Sequence, residues 1–410
     1  MVGTKRQSSS SSSSLIKRSI WIIAFVFVLS FFLVVAYYYQ PKLKASQKGC
    51  YSSQGCGTNT NDVQLVKVED NKEEVELVPR ELTDEEMESR VVVKDILRLQ
   101  TLQPKKPKVA FMFLTQGSLP FEKLWHMFFS GHEGKFSVYV HASRETPIHF
   151  SNYFIGRDIH SEPVAWGKFS MVEAEKRLLG NALLDPDNQH FVLLSESCVP
   201  VRPFQFVYKY LLFSNISFLD CYLDLGPHGN GRYIDYMMPE VEEKDFRKGS
   251  QVHIILIPYI MFPMQWFTMK RQHALIVMAD NLYLRKFRDH CRPGMEGGRN
   301  CYSDEHYFPT FFHMIDPGGI SNWSVTYVDW SEGKWHPRSF TAEEVNNRFL
   351  EALTSIDVCP HITSDEKRTI RFTPCMWKGS KRPCYLFARK FFPETLDNLV
   401  ALFSNYSTLL

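Results

Sequence analysis

Val109-Ala-Phe-Met-Phe-Leu-Thr115, followed by Gln116 and Gly117, is a run of six apolar residues that ends in threonine. An apolar run of this length without polar alternation is typical of a strand that is buried on both faces of a parallel sheet. Residues 121–130 predict a helix after it, and residues 136–143 (Phe-Ser-Val-Tyr-Val-His-Ala-Ser) predict a second strand. Strand and helix alternate, which predicts an α/β fold with a parallel sheet.

The alternation continues into a third strand that ends in polar residues. Residues 169–184 have the spacing of an amphipathic helix, and Phe191 to Leu194 is a short apolar run that leads into Ser195 and Glu196. Ligands of such sheets bind at the carboxyl ends of the strands. We therefore predict that His141, Ser195 and Glu196 bind substrate. For His141, a structural hydrogen-bonded role is at least as good an interpretation.

Composition and the missing motifs exclude several function classes. The chain has 410 residues, of which 44% are hydrophobic, enough for one large domain or two. Its 47 basic and 45 acidic residues leave a formal charge of +2, which argues against a nucleic-acid partner. No Gly-x-Gly-x-x-Gly or phosphate-loop lysine motif follows any predicted strand, so a dinucleotide or ATP site of the usual type is not expected.

The N-terminal part of the chain predicts a membrane anchor and a stem. Residues 1–19 are polar and include a run of seven serines, as in a flexible cytoplasmic tail. Residues 20–39 contain no charge and are long enough to span the bilayer as a transmembrane signal-anchor. A cleaved signal peptide is the alternative, although the three tyrosines that end the span do not suit a cleavage site. Residues 40–104 predict an acidic lumenal stem, with helix near Thr83 to Leu99, before a folded domain at residues 105–410.

A short tail and a large C-terminal domain favour a domain that lies in the secretory lumen. Three glycosylation sequons fit this placement. They begin at Asn215, Asn322 and Asn405. Nine cysteines can oxidise in that compartment, although spacing alone does not fix their connectivity. Possible bridges between close cysteines are Cys50–Cys56, Cys291–Cys301 and Cys375–Cys384.

Two adjacent carboxylates and a histidine stand within the aromatic stretch Cys301-Tyr-Ser-Asp-Glu-His-Tyr-Phe-Pro309. We interpret Glu305 as a general base, because aromatic neighbours desolvate a carboxylate and raise its pKa. The alternative is structural: Ser303 would cap a helix whose first turn holds Asp304 and Glu305, since acidic side chains stabilise that end of a helix. Asp304 and His306 would point to different sides of a helix, so a metal site is not predicted.

Seven segments, in the order in which they occur, carry a family resemblance. They are Phe111-Met-Phe-Leu-Thr, Phe136-Ser-Val-Tyr-Val-His, Pro163-Val-Ala-Trp-Gly, Phe191-Val-Leu-Leu-Ser-Glu-Ser-Cys-Val-Pro, Phe246-Arg-Lys-Gly-Ser-Gln, Asp304-Glu-His-Tyr-Phe-Pro-Thr and Tyr385-Leu-Phe-Ala-Arg-Lys-Phe. Over roughly residues 105–405 they resemble the plant core-2/I-branching β-1,6-N-acetylglucosaminyltransferase-like proteins, which are related to glycosyltransferase family 14. An ordered set of this kind is far more specific than a single motif.

The resemblance implies a Rossmann-like, GT-A-type glycosyltransferase domain in a single-pass type II protein of the Golgi membrane. It also implies inverting transfer of a sugar, such as N-acetylglucosamine, from a UDP-sugar to a cell-wall glycan or glycoprotein acceptor, without a divalent metal or another cofactor. Glu305 stands at the position of the catalytic base, with Asp304 beside it in the substrate site. Lys390 matches the lysine that binds the diphosphate, and Arg371 is a candidate second cation. A catalytically silent lumenal protein that binds carbohydrate or assembles with partners is the alternative.

Metal independence is also consistent with the position of the Asp-x-Asp sequence Asp185-Pro-Asp187. Many GT-A enzymes bind Mn²⁺ through Asp-x-Asp at the end of a strand, whereas the third strand here ends in Ser-Glu-Ser. Asp185-Pro-Asp187 precedes that strand, and its residue types predict a turn. Basic side chains can replace a metal, because they stabilise the charge that develops on a departing diphosphate.

One segment departs from the family pattern. The relatives usually read Gly-Ser-Gln-Trp-Phe without interruption, whereas Gly249-Ser-Gln251 and Trp266-Phe267 are separated here by residues 252–265, fourteen mostly apolar residues. We interpret this apparent insertion as retained intron sequence or a gene-model error. A real insertion would place an apolar loop beside the expected acceptor site.

Overall fold

The structure is a computed structural model of the chain. It describes residues 106–249, 266–295, 298–332 and 336–407, and residues 84, 87, 88, 91 and 92. These residues belong to a compact unit that extends from Val78 to Leu410. Among the helices described, none is both long and apolar enough to cross a bilayer. The predicted anchor at residues 20–39, the Cys50–Cys56 pair and the apparent insertion at residues 252–265 lie outside the described residues.

A six-stranded sheet forms the centre of the fold, and its first three strands match the sequence predictions. Strand β1 (Lys108–Thr115) pairs in parallel with β2 (Phe136–Ala142) on one side and with β3 (Asn188–Ser195) on the other. Helix α1 (Glu122–Phe129) connects β1 to β2, and α2 (Ser170–Leu183) connects β2 to β3. The predicted alternation of strand and helix is confirmed, and β3 alone begins clearly earlier than its apolar run predicts.

The other half of the sheet is not purely parallel, and here the sequence prediction is wrong. Strand β6 (Thr268–Lys270) runs antiparallel to both β3 and β5 (Ser217–Asp220), while β7 (Ile320–Asn322) is parallel to β5. The strand order is β2-β1-β3-β6-β5-β7. Strands of three or four residues carry too little periodicity to reveal their direction or their partners.

Further strands and helices surround this sheet. Their bounds are β4 (Val199–Pro200), α3 (Phe204–Leu212), α4 (Arg271–Ala279), α5 (Leu282–His290), α6 (Ser303–Ile315), β8 (Thr326–Val328), α7 (Asn347–Ser355), β9 (Val358–Ile362), β10 (Ile370–Pro374), β11 (Met376–Trp377), β12 (Ser380–Lys381), β13 (Phe387–Arg389) and α8 (Leu396–Ser407). Strand β13 pairs with β4 and β8, so the C-terminal part of the chain returns to the region that follows β3.

Aromatic side chains hold the first strand against the first helix. Phe111 and Phe113 of β1 are fully buried, and their ring centroids lie 5.0 Å from Phe129 and 5.1 Å from Trp125 of α1, respectively. Aromatic pairs at this separation are stabilising beyond the area that they bury. This packing fixes the position of the carboxyl end of β1, at Thr115.

Two of the predicted disulfides, Cys291–Cys301 and Cys375–Cys384, are confirmed. The first closes the loop that precedes α6, and there Ser303 donates a hydrogen bond to the carbonyl oxygen of Cys291 at 2.7 Å. Ser303 is the first residue of α6, and the residue before it, Tyr302, makes no side-chain cap. The alternative interpretation is therefore wrong about the cap, because Ser303 lies within the helix and its hydroxyl donates to the preceding loop. It is confirmed for Asp304 and Glu305, which stand in the first turn.

The described residues of the predicted stem helix pack against α2. Asp84, Met87 and Glu88 are helical, as predicted for this stretch. Arg177 Nε donates to Asp84 at 2.9 Å, and a Cβ added to Gly180 would lie 2.8 Å from the sulfur of Met87. These residues are thus part of the folded unit, whereas the predicted boundary between stem and domain at residue 105 stays a prediction.

Candidate functional site

A cavity of about 580 Å³ opens at the carboxyl ends of the three parallel strands. From those strand ends it is lined by Thr115, Gln116, Ser143, Arg144, Ser195 and Glu196. Trp166, His336, Arg389 and Lys390 complete much of the wall. Its volume is in the range of small-ligand sites. The structure therefore brings Ser195, Glu196 and Lys390 together in one cavity.

Arg389 and Lys390 place positive charge on one wall of this cavity. Burial lowers the pKa of Lys390 below its usual value, and the charge of Arg389 lowers it further, while Glu196 acts in the opposite direction. The buried Arg389 guanidinium lies over the ring of Trp266, 4.3 Å from its centroid. Two cations this close repel each other, and an anionic ligand that binds beside them relieves the repulsion.

The loop after β3 is held in place by its own side chains. Ser195 Oγ lies 3.1 Å from Ser197 Oγ and 3.3 Å from Cys198 Sγ. The backbone N–H of Ser197 also donates to Ser195 Oγ. Ser195 therefore stabilises the turn that presents Glu196 to the cavity, in addition to lining the cavity itself.

Glu305 is buried at the start of α6, in a charged cluster that the sequence did not predict. Its Oε2 accepts a hydrogen bond from Arg232 Nη1 at 2.5 Å, and both side chains are almost fully buried. Burial raises the pKa of Glu305, and the charges of Arg232 and Lys248 hold part of that rise back. A raised pKa is the shift expected for a carboxylate that acts as a general base. Its cause is burial within a charged cluster rather than the flanking aromatic residues alone.

A second ion pair completes this cluster. Lys248 Nζ lies 3.4 Å from Asp224 Oδ2, and both side chains are buried. Although burial raises the pKa of Asp224, the charge of Lys248 and hydrogen bonds from neighbouring groups hold it below its usual value. Two cations and two carboxylates thus balance each other around Glu305, which limits the cost of burying them.

A cation–aromatic contact and a tilted aromatic pair connect the Glu305 cluster to the cavity. The guanidinium of Arg232 lies 4.8 Å from the ring centroid of Tyr302, and that ring centroid lies 6.1 Å from Trp166, which lines the cavity. Gly167 has a φ of +72°, and a Cβ there would lie 2.8 Å from the Tyr302 ring. Glu305 is not among the described residues that line the cavity. It lies behind Trp166, Tyr302 and Arg232.

Asp304 faces α2 rather than the cavity. It is almost fully buried, and its Oδ1 has no hydrogen-bond partner among the described residues. Burial raises the pKa of Asp304 to about 8, and the charge of Glu305 contributes to the rise. Burial also raises the pKa of Glu175 on α2, and Asp304 adds to that shift. The structure therefore places Asp304 in a contact between two helices, which does not support the prediction that it binds substrate.

This contact predicts a pH dependence of stability. The folded chain holds a proton on Asp304 up to about pH 8, whereas an unfolded chain releases it near its ordinary pKa of about 4. The free energy of unfolding should therefore fall as pH rises through that window. The asparagine of Asp304→Asn does not ionise, so the melting temperature of this variant should rise relative to that of the wild type as pH increases from about 5 to 8. Exposed Glu394, changed to Gln, is the control. If the melting temperatures of wild type and Asp304→Asn change with pH in the same way, Asp304 does not have a raised pKa in the folded chain.

His141 makes the hydrogen bonds expected of a structural histidine, which was the alternative to substrate binding. Its Nε2 accepts hydrogen bonds from the backbone N–H of Glu162 at 3.3 Å and from Arg177 at 3.2 Å. Burial, followed by the charge of Arg177, lowers the pKa of His141 to about 4, so the ring is neutral. The cavity wall beyond β2 consists instead of Ser143 and Arg144.

Arg371 lies on β10, exposed, and lines a different cavity of about 360 Å³ beside Tyr222 and His361. The structure therefore does not bring Arg371 together with Lys390. The resemblance offered Arg371 only as a candidate second cation, because the stretch around it contains no quoted family segment. Among the described residues, Arg389 and Arg144 are the arginines that line the cavity with Lys390.

Several residues of the site were not singled out from the sequence. Arg232 ends a short 3-10 helix (Asn230–Arg232), where no spacing pattern points to it. Lys248 and Trp166 were within the quoted family segments, and that was the signal that could have identified them. Asp224 and Arg144 had none, since a single charged residue in a loop is usually a solvated one.

Comparison of the sequence with known proteins shows which family the chain belongs to. The sequence model of the Core-2/I-Branching enzyme family matches residues 109–354, more than half of the chain. The chain therefore belongs to the Core-2/I-Branching enzyme family, as the seven segments indicated. Among its relatives is Glycosyltransferase BC10 from Oryza sativa subsp. japonica, which is 33% identical over 324 residues, covering 71% of this chain and 75% of the relative. The chain is thus a glycosyltransferase, and its mixed α/β sheet fits such a domain.

Proposed function

We propose that this protein transfers a sugar from a UDP-sugar to a glycan hydroxyl, with inversion to a β linkage and without a divalent metal, in a GT-A-type domain. The observation that carries the proposal is the cavity at the carboxyl edge of the sheet, with Lys390 and Arg389 on its wall. A nucleotide diphosphate is a ligand whose charge such a wall complements.

The donor half of the site uses protein cations. Lys390 and Arg389 stabilise the diphosphate as the bond between the anomeric carbon and the phosphate oxygen breaks, because the leaving group gains negative charge at that moment. Asp185 and Asp187 do not serve this site. They form a turn at the amino end of β3, where Asp185 accepts hydrogen bonds from Lys108 at 2.9 Å and from the N–H of Asp187.

Glu305 removes the proton of the acceptor hydroxyl. The acceptor oxygen forms the new bond to the anomeric carbon on the face opposite the diphosphate, the hydroxyl proton moves to the Glu305 carboxylate, and UDP leaves with the electron pair of the broken bond. Burial favours this step by raising the pKa of Glu305, while Arg232 holds the carboxylate in one orientation. Arg232 is thus a positioning residue.

Glu305 and the cationic wall of the cavity each contact a residue of the family segment Gly-Ser-Gln-Trp-Phe. The backbone N–H of Gly249 donates to the carbonyl oxygen of Glu305 at 2.9 Å, and Trp266 packs beneath Arg389. In the uninterrupted family pattern, three peptide steps join the residues that correspond to Gly249 and Trp266, a span of at most about 11 Å. That spacing supports a shared site in the family, whereas residues 250–265 stand between the two positions in this chain.

The cellular setting is part of the proposal. An anchor at residues 20–39 would hold the enzyme in the Golgi membrane as a type II protein, with its domain in the lumen and cell-wall glycans or glycoproteins as acceptors. Asn215 and Asn322, which begin two of the sequons, are exposed and so are open to glycosylation. Two disulfides within the domain also suit an oxidising compartment.

The proposal is tested by incubating the full-length protein, purified in detergent, with a panel of UDP-sugars and glycan acceptors. We expect UDP release that depends on acceptor and whose initial rate is unchanged by a brief exposure to chelator. Glycan binding without UDP-sugar binding would favour a catalytically silent binding protein instead. Release of free sugar from a glycan without nucleotide would indicate a hydrolase.

A further inference from the structure

Three potential metal ligands meet in the interior, apart from the cavity and from the Glu305 ion pairs. Asp220 ends β5, and Cys359 and His361 lie on β9. Alternate residues of a strand share one face, so Cys359 and His361 point to the same side of β9. All three side chains are buried, and Cys359 takes part in neither disulfide.

The distances among the ligand atoms fit tetrahedral coordination. His361 Nε2 lies 3.2 Å from Asp220 Oδ1, and Cys359 Sγ lies 3.9 Å from each of these two atoms. Tetrahedral zinc with ordinary bond lengths separates nitrogen from oxygen by about 3.3 Å, and sulfur from either by about 3.5 Å. The observed triangle therefore needs only a shift of a few tenths of an ångström in the sulfur to hold the ion.

The surroundings orient the ligands as a metal site requires. Thr373 Oγ1 lies 3.4 Å from His361 Nδ1, so that nitrogen can keep its proton and leave Nε2 for a metal. The backbone N–H of Ser324 donates to Asp220 Oδ1 at 3.1 Å and fixes the carboxylate. The hydroxyl of Tyr385 lies 3.8 Å from Cys359 Sγ, close enough to provide or hydrogen-bond a fourth ligand.

We propose that Asp220, Cys359 and His361 bind a zinc ion that fixes β9 to the end of β5. On binding, the Cys359 thiol releases its proton to solvent, and the thiolate and carboxylate together balance the two charges of the ion. A sulfur, a nitrogen and an oxygen in tetrahedral arrangement favour zinc over magnesium or calcium, which prefer oxygen ligands alone. The ion is structural and touches no substrate.

The position of this site gives the ion a structural consequence for the enzyme. The ring of His361 packs on Tyr222, with 4.7 Å between centroids. Tyr222 also forms two backbone hydrogen bonds with Lys248, the partner of Asp224 in the Glu305 cluster. The zinc ion would therefore hold β9 and Tyr222 in position next to the Glu305 cluster, and it would take no part in sugar transfer.

Metal content decides the proposal. The full-length protein, purified without chelator, should contain one zinc per chain, and cobalt that replaces it should show the charge-transfer absorption of a cobalt–thiolate bond. Cys359→Ser should lose both the zinc and this band. Cys221→Ser should keep them, since Cys221 is a buried thiol outside the cluster. Should Cys359→Ser fail to fold, X-ray absorption of the wild type should show one sulfur at about 2.3 Å from the zinc.

The proposal is overturned by a folded wild-type protein that contains no stoichiometric zinc and gives no thiolate band with added cobalt. Asp220 would then simply accept hydrogen bonds from His361 and Cys359. The result is independent of the proposed transfer reaction, because metal content is measured without substrate. A buried ion should leave only on prolonged chelation, with a lower melting temperature, whereas brief exposure should leave the initial transfer rate unchanged.

Discussion

Changing Glu305 to Gln is expected to reduce kcat for sugar transfer by roughly 10²–10⁴-fold, the usual contribution of a general base. The amide cannot accept the proton of the acceptor hydroxyl, but it can still accept the hydrogen bond from Arg232. Binding of the UDP-sugar should be nearly unchanged, because Lys390 and Arg389 remain on the cavity wall. The measurements are acceptor-dependent UDP release and the dissociation constant of UDP.

A matched control separates loss of the base from loss of a buried carboxylate. Glu175→Gln also changes a fully buried glutamate, whose pKa is raised by burial, but it lies on α2, away from the proposed reacting atoms. This variant should keep transfer activity. If Glu305→Gln folds, as judged by its melting curve, and transfers sugar at the wild-type rate, then Glu305 is not the base.

Changing Lys390 to Ala should lower kcat/KM for the UDP-sugar by roughly 10²–10³-fold, the usual effect of removing one donor that stabilises developing charge. Lys390 lines the cavity, and the neighbouring Arg389 alone cannot balance the two phosphates. Unlike Glu305→Gln, this variant should also weaken the binding of UDP. Glu305→Gln thus tests proton transfer, whereas Lys390→Ala tests binding of the nucleotide.

Two further variants bracket the Lys390 result. Lys390→Arg keeps the charge and should recover part of the activity, although a planar guanidinium differs in shape from an ammonium. Lys381→Ala removes an exposed lysine of β12 that pairs with Asp357, and it should leave transfer unchanged. Unchanged UDP affinity in Lys390→Ala would remove the basis for placing the diphosphate in this cavity.

The sequence predicted the parts of the fold whose physical signal is local. The apolar runs of β1 and β3 and the periodicity of α2 gave these elements and their order, because continuous burial requires apolar residues. Strands β5, β6 and β7 are too short for such a pattern, and their direction depends on pairing between distant residues. For that reason the mixed sheet did not emerge from the sequence.

Strand ends and recognisable segments identified three residues of the cavity, although His141 and Asp304, chosen in the same way, do not line it. Ser195, Glu196 and Lys390 share the cavity, and the pKa of Glu305 is raised as expected. The partner of Glu305 could not be found, since Arg232 lies 73 residues away in the chain with no motif around it. Arg371 was a candidate from the family resemblance without a motif of its own, and the fold places it beside another cavity.

Glu305 lies behind Trp166, Tyr302 and Arg232, whereas Lys390 lines the cavity itself, so their common role is the central claim. A crystal structure of the protein with UDP tests it most directly. The account predicts a diphosphate oxygen within about 3 Å of Lys390 Nζ. It also predicts that Trp166, Tyr302 and Arg232, which separate Glu305 from the cavity in the present structure, have moved so that the Glu305 carboxylate opens to the cavity on the acceptor side. UDP bound away from Lys390, or Glu305 closed off from the bound nucleotide by protein, would contradict it.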